Sequence, residues 1–225
     1  MDIHKPKPWH GVREFLKEYA IIVVGVLTAL GAEQAAEWGR THREVGEARA
    51  ALHTEMRSSV RAYVTELRED GCWLRSLPAV EAWARGQGPK PPWPGVLLST
   101  LRTSVWDVAK TGAVAHMDLD ERLALANYFG AVDNQRGLVV IARAEAQDLE
   151  GYLNQDSLDR EEAHALLRLT AHIRGTAEGE MRNATVQIAA AHKLGIEPGP
   201  PPLPLYQARV DALCAAYPAP PAARP

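Results

Sequence analysis

Two hydrophobic patterns divide the chain. Near its start, Tyr19-Ala-Ile-Ile-Val-Val-Gly-Val-Leu-Thr-Ala-Leu-Gly-Ala32 runs without a charge. Residues 20–32 are apolar all round a helix, which suits lipid or a protein core better than a flat seat on a membrane surface. Tyr19 and Trp38 stand 19 positions apart, which along a helix is roughly 28 Å, against ~30 Å for the hydrocarbon core of a bilayer. The run predicts a transmembrane segment over 19–38, with Tyr19 and Trp38 as interfacial anchors. Ile21, Ile22, Val23, Val24, Val26, Leu27 and Leu30 contribute roughly −3 kcal/mol to insertion, and Glu33 near one end costs about 1–2 kcal/mol. The balance is modestly favourable, and a partner helix improves it.

Gly25, Thr28, Ala29, Ala32 and Ala36 recur at helical spacing. Such a stripe of small residues lets helix backbones approach closely in lipid, so it is the predicted contact for a protein partner or a second copy. Glu33 is the candidate intramembrane acid. It either pairs with a basic residue of a partner, carries protons, or reaches the headgroups. Two other readings of the segment stand beside this one. Ala29-Leu30-Gly31 fits a signal-peptide cleavage site loosely, and a run of this length also occurs in the core of soluble proteins. Lys5, Lys7, Arg13 and Lys17 precede the segment, and Arg40, Arg43 and Arg49 follow it. That small excess places the N-terminus inside and the body outside, on the periplasmic face of a bacterial inner membrane.

The stretch Phe15-Leu-Lys-Glu-Tyr-Ala-Ile-Ile-Val-Val-Gly-Val-Leu-Thr-Ala-Leu30, followed by Trp38 and a charged helix, resembles the start of a family of uncharacterised bacterial proteins. Members of that family look like single-pass membrane proteins with helical bodies. The resemblance covers about the first quarter of the chain. It implies topology and adds nothing about chemistry.

Beyond Trp38 the pattern changes to an amphipathic one. Val45, Ala48, Leu52, Met56, Val60, Tyr63 and Leu67 recur every three or four residues with charges between them, which predicts a helix that continues to Gly71. A shorter helix follows over 73–85. Gly86 to Gly95 is rich in proline and reads as a loop, with Trp93 pinning it to the core. Leu98 to Lys110 reads as a helix closed by Gly112. Asp118 and Glu121 have the spacing of a capping box, and the helix they open runs to about Leu153 with Leu123, Ala126, Phe129, Val132 and Val139 on one face. Asn154 to Ser157 reads as a turn and new cap, and a final long helix ends at Gly195. Two such helices, each roughly 55 Å long, joined by a short turn make an antiparallel hairpin. Packed on the first helix, it gives an elongated antiparallel helical bundle. Glu197 to Pro204 reads as a polyproline spacer, Leu205 to Tyr217 as a short docking helix, and 218–225 as disordered.

The expected fold class is therefore all-α: a polar flank at 1–18, a transmembrane helix at 19–38, a bundle at 39–195 and a proline-rich tail at 196–225. Composition agrees with this. Aromatic residues make up 6%, which favours closely packed helices over sheets. The net charge of −3 argues against nucleic acid, which needs a basic surface. Cys72 and Cys214 have no metal-site spacing. They read either as one disulfide, if the body is exported, or as two buried thiols.

No nucleotide-binding, hydrolase or zinc-protease motif occurs. Glu161 and His164 have the spacing of a di-iron ligand pair, but no other histidine has Glu three positions before it, so surface charge at a helix start explains them better. Asp118 and Asp120 have the same explanation. No catalytic residue, metal ligand or cofactor is assigned. The expected function is a non-enzymatic, membrane-anchored interaction protein or an accessory subunit. The alternative is an enzyme or ligand binder with a pocket inside the bundle.

Overall fold

The computed structural model describes residues 11–93, 101–199 and 204–218, with no side-chain detail at 204 and 205. Among these the protein is all-α, with five α-helices, one 3-10 turn and no strand. They are α1 (Val12–Ala84), α2 (Ser104–Ala109), α3 (Leu119–Leu153), α4 (Arg160–Lys193) and α5 (Pro204–Ala216), with the 3-10 turn Ala113–His116 ahead of α3. The chain forms two compact units, Met1–Glu47 and Ala48–Pro225.

In the first unit, α1 exposes Ile21, Ile22, Val24, Val26, Leu27 and Leu30, each at least half accessible. The most apolar 18-residue window has a mean hydropathy of 1.7, and none of it is buried. By length and composition this helix suffices to cross a membrane.

The second unit is held together by the stripe that the periodicity predicts. Leu52, Met56, Val60 and Tyr63 are wholly buried. The expected break at Gly71 does not occur: α1 continues through Gly71 and Pro78 to Ala84. An internal proline costs roughly 3 kcal/mol. Burial of Trp73, Leu77, Val80 and Ala84 against Leu149, Leu153, Leu166 and Ile173 offsets that cost at about 1.5–3 kcal/mol per large side chain. The following turn uses Gly86 in a left-handed conformation (φ 69°).

The hairpin of α3 and α4 forms as expected. Thr176 bonds to Glu145, and Asn183 to Ala131 and Gln135, the register of antiparallel helices. Three details differ from expectation. The buried face of α3 is Leu125, Tyr128, Phe129, Val132, Gln135 and Val139, while Leu123 is exposed and Ala126 with it. Asp118 is the N-cap of α3 but makes no side-chain cap bond, and Glu121, the other half of the expected box, gives both carboxylate oxygens to Arg49 at 2.6 and 2.8 Å. The cap of α4 is Asp159, not the 154–157 turn, and with Glu162 it forms a complete capping box.

The helix expected over 98–110 is shorter, with α2 beginning at Ser104; residues 98–100 lie outside the described residues. Glu55 of α1 receives the backbone N–H groups of Val105 and Trp106, each at 3.0 Å. It thus neutralises the helix start that no local residue caps. Trp93 pins its loop by an edge-on contact with Trp73, ring centres 4.9 Å apart. After α4 the chain turns at Gly195 (φ 72°), buries Ile196, and Gly199 bonds to the carbonyl of Arg57 at 3.0 Å. Residues 196–199 are therefore docked on α1 instead of forming a free spacer. Residues 200–203 of that stretch and residues 219–225 lie outside the described residues, as do Lys5 and Lys7, while Pro204 opens α5.

Candidate functional site

The sequence directs attention to the first unit. There Gly25, Thr28, Ala29, Ala32, Glu33 and Ala36 are all exposed, as are Tyr19 and Trp38. Tyr19 stacks on Phe15, and Trp38 on His42 with ring centres 5.4 Å apart. Thr28 donates its hydroxyl to the carbonyl of Val24 at 2.8 Å, so its one polar group is satisfied inside its own helix. A Cβ added at Gly25 meets nothing within 4 Å. The stripe is thus an open, low-relief surface.

The second unit contains a site that the sequence does not announce. The buried stripe of α1 runs on from Tyr63 through Glu66, Asp70 and Trp73 at three- and four-residue steps, so carboxylates occupy positions on the core-facing side. Glu180 arrives in the same way on α4, between the buried Ala177 and Ala184. Glu66 is 6% exposed, Asp70 8% and Glu180 2%. A carboxylate oxygen from each of the three lies within 4.8 Å of the others.

Their partners are few. Gln135 of α3 donates to one oxygen of Glu66 at 2.6 Å, and Asn183 of α4 donates to Gln135 at 2.6 Å. This relay fixes Glu66. The other Glu66 oxygen, Asp70 Oδ2 and Glu180 Oε1 are buried without a hydrogen-bond partner in the described chain. Glu69, also buried, accepts from the Tyr206 hydroxyl of α5 at 2.7 Å. A cavity of about 20 Å³ lies against Asp70, Glu180, Glu69, Glu145 and Trp73. That is room for roughly one water or one ion. Trp73 is 6% exposed and its indole N–H also lacks a partner.

Burial first, and then repulsion from neighbouring acids that include Glu69, push all three up, Glu66 to about 7, Glu180 to about 8 and Asp70 to about 9. Buried like charges this close do not all ionise unless something positive joins them. Among the described residues none of the three forms a salt bridge with a lysine or arginine. The arrangement suits holding protons or a positively charged ligand.

The residues the sequence did single out for chemistry stay apart from this cluster. Glu161, His164, Asp118 and Asp120 are all exposed, and the backbone N–H of Glu161 is bound to the Asp159 cap. The cluster was partly legible: Glu66 and Asp70 are one turn apart on a face already marked by Tyr63. Glu180, 110 positions further on, joins only because α4 packs against α1.

Comparison with protein-family models, curated proteins and solved structures finds no match to this chain.

Proposed function

We propose that this chain is a single-pass membrane protein whose helical domain serves as a non-enzymatic interaction or accessory module. The observation that carries this reading is the apolar window of α1, none of which is buried. Leaving so many aliphatic side chains in water costs about 25 cal/mol per Å², and lipid removes that cost. The segment spans 19–38, with Tyr19 and Trp38 at the two interfaces and Glu33 close to one of them.

The body faces the oxidising side, the periplasm of a bacterial cell. In favour of this, Cys72 and Cys214 are joined in a disulfide with Cα atoms 5.0 Å apart, and such bonds persist outside the reducing cytosol. The basic residues flanking the segment favour the same orientation, and the resemblance of residues 15–38 to a family of single-pass bacterial proteins adds support.

Gly25, Thr28, Ala29, Ala32 and Ala36 form the contact with a partner helix or a second copy. The test is the oligomeric state of the full chain in mild detergent, with and without Ala29→Ile and Ala32→Ile. Self-association or a stoichiometric partner that the substitutions weaken about tenfold supports the reading. A wild-type chain that stays strictly monomeric and recovers no partner sinks it.

A second reading has one observation of its own. The buried carboxylates beside the small cavity favour a ligand-binding role for the bundle, independent of what the membrane segment contacts.

A further inference from the structure

We propose that Glu66, Asp70 and Glu180 hold one divalent cation of the hard, oxygen-binding kind, in the class of Ca²⁺, Mn²⁺ and Mg²⁺, between α1 and α4.

Distance makes the first case. The three carboxylate oxygens lie within 4.8 Å of one another, so the centre of a triangle of that size is about 2.8 Å from each corner. Calcium–oxygen bonds are ~2.3–2.6 Å and magnesium–oxygen bonds ~2.0–2.1 Å. Small rotations of three side chains therefore close a coordination shell without moving a helix. The donors are all oxygen, with no thiolate or imidazole among the three, which selects hard cations over zinc or copper.

The second case is independent of the acids. Trp73 lines the same cavity as Asp70 and Glu180, is more than nine-tenths buried, and its indole N–H has no partner among the described residues. A buried N–H donor calls for an acceptor. A water molecule bound to the cation supplies one, and the cavity of about 20 Å³ accommodates one water. Partly hydrated divalent ions routinely keep such waters.

The surroundings complete a supporting shell. Gln135 donates to the remaining oxygen of Glu66 and is itself fixed by Asn183. Groups that hold ligand carboxylates in place are a regular part of metal sites. Tyr206 of α5 ties down the neighbouring Glu69, so the docked C-terminal helix borders the site.

The test uses the full-length protein in detergent, stripped with chelator and then titrated with Ca²⁺, Mn²⁺ or Mg²⁺ by calorimetry. One ion per chain is expected, with a rise in Tm of about 5–10 °C at a hundredfold excess over Kd. Terbium as a calcium stand-in should luminesce on tryptophan excitation, with Trp73→Phe dimming the signal. Asp70→Asn and Glu180→Gln should each weaken binding at least tenfold. Both remove a buried negative charge without changing shape, so the fold survives, and unchanged helicity by circular dichroism verifies it. Glu161→Gln, on the surface, should bind as wild type. No saturable binding at 1 mM of any of the three ions overturns the proposal. So does an ion retained at full affinity by the Asp70→Asn, Glu180→Gln double variant, which places it elsewhere.

Discussion

Single side chains in this protein are held by partners from distant helices, and their removal should be felt accordingly. Gln135 is wholly buried and bridges Asn183 to Glu66. Gln135→Leu leaves one buried Glu66 oxygen without its donor and should cost about 1–3 kcal/mol in urea unfolding. An unchanged midpoint would show that the relay contributes nothing. Glu121 gives a pH-dependent case. The hydrogen bonds from Arg49 hold its carboxyl below the usual range, so the folded form prefers it ionised. The stabilisation is complete above pH ~4.5 and fades as the pH falls through the lowered value. Both side chains are partly exposed, which limits the effect to about 1 kcal/mol or less. Glu121→Gln should flatten the acid limb of the stability curve by that amount, and a double-mutant cycle with Arg49 isolates it. Residues of this sort explain why sequence alone gave a capping box at Asp118 and Glu121. The local spacing was right, but a guanidinium 72 positions away competes for the carboxylate, and no local rule contains it.

At the scale of elements, α3, α4 and the short α5 were legible, whereas α1 runs longer and α2 shorter than their patterns suggest. Periodicity and caps placed α3 and α4 closely because each buries its own stripe over nine or ten turns. Gly71 was misleading as a breaker, since the cost a helical glycine carries is local and the burial that outweighs it comes from α3 and α4. Helix α2 depends on Glu55 for its start, and a six-residue helix has little stability of its own. Glu55→Ala should free residues 101–117, seen as faster amide exchange there at a cost of about 1–2 kcal/mol. Helix α5 is fastened to α1 four times over. The fastenings are the Cys72–Cys214 disulfide, the Arg68–Asp211 pair at 2.7 Å, the Tyr206–Glu69 bond, and Arg75 to the carbonyl of Tyr217 at 2.8 Å. The disulfide closes a loop of 142 residues, and such a crosslink is worth about 2–5 kcal/mol. Replacing both cysteines by serine, or adding reductant, should lower stability by that much and open 204–217 to protease. An α5 equally protected after reduction would mean that the polar fastenings suffice.

At the scale of the molecule, the chain joins a helix that water does not favour to a domain with a well-made core. The sequence conveyed this contrast clearly, because the change from an all-round apolar run to a one-sided stripe near Trp38 is a property of the residues themselves. It conveyed only the Glu66 and Asp70 half of the acid cluster, whose members come from α1 and α4 and meet only when the hairpin packs on α1. Composition concealed the cluster as well, since three buried acids vanish among 28 acidic residues in all. The central claim is that residues 19–38 cross a membrane and leave the domain on the outer side. It is tested most directly by alkaline extraction of cell membranes followed by protease treatment of spheroplasts. A protein that stays in the washed membrane, with its domain cleaved from outside, is the predicted result. Full-length protein released into the alkaline supernatant, or a membrane-bound domain that the protease cannot reach, would contradict it.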